Sequence, residues 1–159
     1  MAAKTLKVGN LAPAFKLNNQ NGEAVCLKDF REQKSLVLYF YPKAMTPGCT
    51  VQAQGLRDMK RKLSSRKVVV LGVSIDSEAR LQKFIEKEAL NFDLLSDEEH
   101  AVCEKYGVWQ KKKNYGREYY GIVRTTFIIG QDGRIKAILD KVKTKSHHDD
   151  VLDALDESL

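Results

Sequence analysis

Two short runs decide what this chain can fold into. Ser35-Leu36-Val37-Leu38-Tyr39-Phe40-Tyr41, stopped by Pro42, and Val68-Val69-Val70-Leu71-Gly72-Val73-Ser74-Ile75 are continuous apolar, β-branched and aromatic stretches. Runs of that length and content are strands buried on both faces. Between them Cys49, Ala53, Leu56, Met59 or Lys60, and Leu63 recur every three or four residues, the stripe of a helix packed by one side. Strand, helix and strand in this order describe a βαβ crossover, because parallel strands need a connection of that length.

The rest of the chain builds outward from this unit. A hairpin around Asn21-Gly22 precedes it. A helix with Leu81, Phe84, Ile85 and Ala89 on one side follows, then a short strand at Phe92-Asp93-Leu94-Leu95. Ser96-Asp97-Glu98-Glu99 reads as a capping box opening a third helix through Tyr106. The runs Thr125–Ile129 and Arg134–Leu139 flank Gly130-Gln131-Asp132-Gly133, whose Asp-Gly pair marks an antiparallel hairpin. A last helix carries Val151, Leu152, Leu155 and Leu159. Gln110 to Ile122 shows no period and reads as an exposed, mobile loop. The order ββ, βαβ, αβ, α, ββ, α implies an α/β fold, a central mixed sheet flanked by helices, and it matches a thioredoxin-like topology. No repeat, linker or composition shift divides the 159 residues, so residues 1–159 are expected to form one domain.

Composition excludes several function classes. No run of about 18 or more apolar residues occurs, which rules out a spanning helix. Met1-Ala2-Ala3-Lys4-Thr5-Leu6-Lys7 lacks the apolar stretch of a secretory signal, so a soluble cytoplasmic protein is expected, with no membrane partner. The net charge of +6 comes largely from local groups such as Arg57–Lys62 and Lys111-Lys112-Lys113. Neither group is interleaved with the aromatic and glycine pattern of a nucleic-acid binder, and they read as solvated faces. No Gly-rich phosphate loop or dinucleotide fingerprint is present, and no cofactor is expected. His147-His148-Asp149-Asp150 reads as a helix cap with an acidic first turn rather than a metal site. Tyr106 and Trp109 read as packing beside the third helix.

The chemistry points to Thr46-Pro47-Gly48-Cys49, where the first buried strand gives way to a helix. Thr46 suits the N-cap and Pro47 the first helical position, which puts Cys49 in the first turn. Unpaired N–H groups and the positive end of the helix dipole there favour a thiolate over a thiol. An accessible thiolate is what a peroxide oxidises to sulfenic acid. The three cysteines, Cys26, Cys49 and Cys103, are too few and too scattered for a disulfide framework.

Phe40-Tyr41-Pro42-Lys43-Ala44-Met45-Thr46-Pro47-Gly48-Cys49-Thr50 closely resembles the active-site stretch of peroxiredoxins, specifically the bacterioferritin comigratory protein or peroxiredoxin Q subfamily. The resemblance extends to Gly9–Phe15, Leu94–Asp97 and Lys143–His148, nearly the whole chain. It implies a peroxiredoxin fold and an antioxidant peroxidase acting on hydrogen peroxide and organic hydroperoxides. It also implies Cys49 as the peroxidatic cysteine, Thr46 as the hydroxyl contacting thiolate and peroxide, Pro42 as the shield of the thiolate, and Arg124 as the active-site arginine. A monomer is implied as well. Physically, Arg124 is a permanent cation able to stabilise a thiolate and donate to peroxide oxygen.

The chain departs from its relatives at one position. Where many carry a resolving cysteine five residues after the first, this sequence has Gln54, and Leu81 to Leu90 holds no cysteine either. Cys103 reads as core filling, and Cys26 stands on the strand face opposite Val25 and Leu27. A one-cysteine cycle is therefore expected, with an external thiol (thioredoxin, glutaredoxin or glutathione) reducing the sulfenate. The rival readings are a peroxide-responsive sensor using Cys49 oxidation as a signal, and a thioredoxin-type oxidoreductase. The absence of a Cys-x-x-Cys pair speaks against the last.

Overall fold

The computed structural model describes residues 6–159; Met1 to Thr5 of the polar N-terminal stretch lie outside them. In chain order the elements are β1 (Lys16–Asn19), β2 (Ala24–Cys26), β3 (Ser35–Phe40), α1 (Pro47–Asp58), α2 (Lys60–Ser65), β4 (Val68–Ser74), α3 (Glu78–Glu88), β5 (Asp93–Ser96), α4 (Ala101–Lys105), β6 (Trp109–Asn114), β7 (Arg117–Ile122), β8 (Thr125–Ile129), β9 (Ile135–Leu139) and α5 (His147–Ser158). The two apolar runs pair in parallel from Ser35 with Val68 to Phe40 with Val73, as the crossover requires. Seven strands form one sheet in the order β2-β1-β5-β4-β3-β8-β9, with β8 antiparallel to β3 and β5 parallel to β4. This is the mixed, helix-flanked sheet expected from the sequence.

Every residue of β3 is buried, and its period of two divides the interior into two cores. Val37, Tyr39 and Tyr41 face one core with Cys49, Ala53 and Leu56 of α1, Leu81 and Phe84 of α3, and Val151 and Leu155 of α5. Leu36, Leu38 and Phe40 face the other, with Phe15, Val102, Cys103, Tyr106 and Phe127. Each large side chain buried this way stabilises the fold by about 1.5–3 kcal/mol relative to exposure. Tyr106 also donates its hydroxyl to the Pro13 carbonyl at 2.7 Å, and Trp109 stacks on His100 with ring centroids 4.1 Å apart.

Three expectations need correction. The segment expected as a mobile loop is the hairpin β6–β7, registered from Trp109 with Ile122 to Asn114 with Arg117. Its turn residues Tyr115 and Gly116 both have positive φ, the geometry that matches strand twist. Only its base, Trp109 and Ile122, packs on the core, and most of its other side chains are exposed, so its sequence carries no alternation while its backbone ladder still forms. The third helix begins at Ala101 after left-handed His100, not at Ser96. Ser96 ends β5 and donates to the Asp76 carbonyl, while the Asp97 carboxylate accepts from the Cys103 N–H at 2.8 Å. The single helix expected through Leu63 breaks at Met59 into α1 and α2.

Candidate active site

The loop leaving β3 is held by side chains from α3 and from the connection between β4 and α3. Asp76 is buried, and its carboxylate accepts the Ala44 N–H at 2.7 Å and the Ser74 hydroxyl at 2.8 Å. Arg80 pairs with the other Asp76 oxygen at 3.1 Å and donates to the Ala44 carbonyl at 3.2 Å. Both polar groups around Ala44 are thus fixed from one direction. Met45 follows at φ 65°, a conformation disfavoured for a long side chain and tolerated where the surroundings over-determine it.

Thr46 then takes extended N-cap geometry and Pro47 the first helical position, as the sequence predicts. The Thr46 hydroxyl does not cap a helix N–H; it donates to the Lys43 carbonyl at 2.9 Å. With its one proton used, Thr46 faces any other group as an acceptor. Cys49 sits in the first turn of α1 but is only 1% exposed, within the core that contains Tyr39, Tyr41, Ala44 and Ala53. The open thiol expected from the sequence is a nearly closed one. Pro42 is half-buried where the chain leaves β3.

Arg124 reaches this helix start from the neighbouring strand. The antiparallel register matches Phe40 with Thr125, so Arg124, one residue before β8, lies beside the outgoing end of β3. Its Nη2 stands 3.5 Å from where a side chain on Gly48 would begin, as does the Thr144 methyl group. The sheet register and the crossover helix therefore bring Pro42, Thr46, Cys49 and Arg124 to one end of β3.

Sequence reasoning did not identify what holds Arg124. Its Nη1 donates to Gln52 Oε1; Gln52 Nε2 lies 3.3 Å from His147 Nδ1; and His147 Nε2 lies 2.7 Å from Thr126 Oγ1. Gln52 and Thr126 are fully buried, and His147 is 1% exposed. His147 was expected as part of a helix cap with an acidic first turn; Asp149 and Asp150 do form the acidic first turn of α5, whereas His147 is its buried first residue. Burial first, and the nearby Arg124 and His148 charges second, push the His147 pKa down to about 3. A signal was present in the sequence: Gln52 falls three residues after Cys49, a polar side chain on an otherwise apolar stripe. Lys112 of β6 also borders the site, half-buried, with its amine donating to the Ile122 carbonyl at 3.0 Å. Its pKa is lowered by burial and by the Arg124 charge, with Cys49 acting in the opposite direction.

The other two thiols are placed elsewhere. Cys103 belongs to the core on the far face of the sheet, and burial beside the Asp97 carboxylate pushes its pKa up. Cys26 is on β2, at the opposite edge of the order from β9 and four strands from β3, about 19 Å at normal strand spacing. Disulfide formation needs Cα atoms within about 7 Å. Gln54, at the position of the missing thiol, donates to Glu88 at 2.8 Å and ties α1 to the end of α3. Among the described residues no helix is long and apolar enough to cross a membrane.

Comparison with known proteins agrees with this architecture. Residues 8–138 match the model of the AhpC/TSA family. The chain is 55% identical to peroxiredoxin Bcp of Escherichia coli K12 over 152 residues, covering 96% of this chain and 97% of that protein. It is 45% identical to peroxiredoxin Bcp of Bacillus subtilis over 151 residues, covering 95% and 96%. A cysteine-to-serine mutant of Xylella fastidiosa PrxQ superposes with a TM-score of 0.90 at 30% identity, covering 97% and 98%. The Xanthomonas campestris bacterioferritin comigratory protein, solved to examine its alkyl peroxide reduction activity, gives 0.85 at 33% identity, covering 90% of each chain. The chain belongs to the AhpC/TSA family and within it is a peroxiredoxin of the bacterioferritin comigratory protein type, a peroxidase that reduces peroxide at the expense of a thiol.

Proposed function

We propose that Cys49 is the peroxidatic thiol of an antioxidant enzyme acting on hydrogen peroxide and organic hydroperoxides. The observation that carries this reading is the approach of the Arg124 guanidinium to the helix start that bears Cys49. The Cys49 thiolate attacks the nearer peroxide oxygen in line with the O–O bond. An S–O bond forms, the O–O bond breaks, and the electron pair leaves on the far oxygen, which takes up a proton to become water or an alcohol. Arg124 and the free N–H groups of the first turn stabilise that developing charge. Thr46, its proton engaged by Lys43, accepts the peroxide O–H and orients the bond. Pro42 covers the sulfur.

The sulfenate is then reduced from outside the chain. One external thiol attacks Cys49–SOH, releasing water and leaving a mixed disulfide; a second thiol releases Cys49 and carries away the disulfide. The placement of Cys26 and Cys103 supports this one-cysteine cycle, as does Gln54 at the position of the missing thiol. Thioredoxin, glutaredoxin and glutathione are the candidate reductants, and a cytoplasmic monomer is the proposed working form.

Peroxide consumption by the purified protein, with each reductant supplied separately, tests the proposal. Cys49→Ser should abolish turnover, whereas Cys26→Ser and Cys103→Ser should keep it. Full turnover in Cys49→Ser would sink the assignment. A sensor would instead react slowly with peroxide and accumulate a stable oxidised form with a defined partner.

A further inference from the structure

We infer that His147 is a positioning residue of the peroxidase site: as a neutral, single-tautomer acceptor it locks the Gln52 amide so that Arg124 is held over the start of α1. The inference rests on the peroxidase reading of Cys49 and Arg124, and goes beyond it by assigning what aims the guanidinium.

The hydrogen-bond inventory leaves one arrangement. A guanidinium has donors only, so the Gln52 atom facing Arg124 must be the oxygen. The Gln52 NH₂ group therefore faces His147, and Nδ1, 3.3 Å away, must offer a lone pair. The single proton of the neutral ring is then on Nε2, donating to Thr126 Oγ1 at 2.7 Å. Each link dictates the next, from Thr126 on β8 through α5 and α1 to Arg124 at the foot of β8.

The alternatives are blocked. A protonated ring would set an N–H against the Gln52 NH₂ group, two donors face to face in a buried site. The Nδ1–H tautomer would do the same. A flipped Gln52 amide would present its NH₂ group to the guanidinium and leave Arg124 without its acceptor. Burial keeps the ring neutral at pH 7, so the acceptor is present there. His147 opens α5 and Gln52 lies one turn beyond Cys49, so α5 packing is coupled to the aim of Arg124.

Arg124 acts in the transition state, when charge gathers on the departing oxygen. Misdirecting a fixed donor of this kind costs rate far more than it costs folding. The test measures the single-turnover rate constant of Cys49 oxidation by hydrogen peroxide, with thiolate absorbance giving the Cys49 pKa and urea unfolding giving stability. His147→Leu should slow oxidation by about 10–100-fold. His147→Asn, whose oxygen can take the place of Nδ1, should recover most of the loss. In an Arg124→Gln background, His147→Leu should slow the reaction by less than about twofold, because the group it aims is gone.

Three results would overturn the inference. They are a folded His147→Leu protein at the wild-type rate, an equal defect in His147→Asn, and a full additional loss in the Arg124→Gln background, which marks a role in folding alone. Should the wild-type protein consume no peroxide, it is the peroxidase reading that fails, and the two failures are distinguishable.

Discussion

The buried carboxylate of Asp76 accepts the Ala44 N–H at 2.7 Å, thirty-two residues away in sequence and two residues before the cap of the cysteine-bearing helix. One oxygen of one side chain thus fixes the loop from which Pro42 and Thr46 project. Asp76→Ala leaves the Ala44 N–H and the Ser74 hydroxyl without their acceptor and should cost about 1–3 kcal/mol in urea unfolding. Peroxide oxidation of Cys49 should slow along with it. An unchanged rate in the destabilised protein would show that the loop keeps its shape without the anchor.

Arg124→Gln removes the cation that contacts Gln52 and faces Gly48. Oxidation of Cys49 should fall by about 10²–10³-fold, the range for a lost transition-state donor. Rapid-mixing measurement with equal protein and peroxide reads this directly. Arg124→Lys should recover little, since an ammonium cannot reproduce the fork of the guanidinium.

His147 makes the fold sensitive to acid. Its folded pKa of about 3 lies below the ordinary value of 6.5, so below that value the unfolded chain binds a proton that the folded protein refuses. Its contribution is fully present above about pH 6.5 and is lost as pH falls towards 3, by about 1.4 kcal/mol per pH unit. Urea midpoints at pH 7 and pH 5 should therefore differ more for the wild-type protein than for His147→Asn. Equal differences would show that the ring does not carry the acid sensitivity.

Gly55 lets α1 and α5 approach closely. A Cβ there would stand 2.5 Å from His148 Nδ1 and 2.9 Å from its Cγ, atoms close to the backbone that cannot easily swing away. Gly55→Ala gains about 1 kcal/mol of helix propensity. The overlap should outweigh that gain by about 1–2 kcal/mol and lower the melting temperature. A raised melting temperature would show that α5 moves aside freely.

Single equivalents of peroxide should add one oxygen to the protein, with no internal disulfide, in intact mass spectra. The same should hold in the Cys26→Ser, Cys103→Ser double variant, because neither thiol lies within bridging distance of Cys49 across the sheet. A disulfide in the wild-type spectrum would overturn the one-cysteine cycle.

Legibility in the sequence followed the source of each signal. The buried strands β3 and β4 and the Cys49 helix start were readable because apolar runs, proline and cap residues act locally. The β6–β7 ribbon was not, since it buries too little to impose alternation on its side chains. Gln52, His147, Asp76 and Arg80 were missed for a different reason. Each is polar, and each reaches the site through a partner about twenty to a hundred residues away that the sheet topology brings near. The contacts of His147 were not foreseen because an adjacent His148 and two acids gave its segment the look of a helix cap.

The pairing of β3 with β8 also fixes how the enzyme should fail on heating. Pro42 and Arg124 flank this fully buried strand pair, and core strands of that kind open with the molecule as a whole. Warming should therefore leave the site intact until cooperative unfolding begins. The loss of initial rate and the loss of sheet signal should then trace a single curve, without a half-active intermediate.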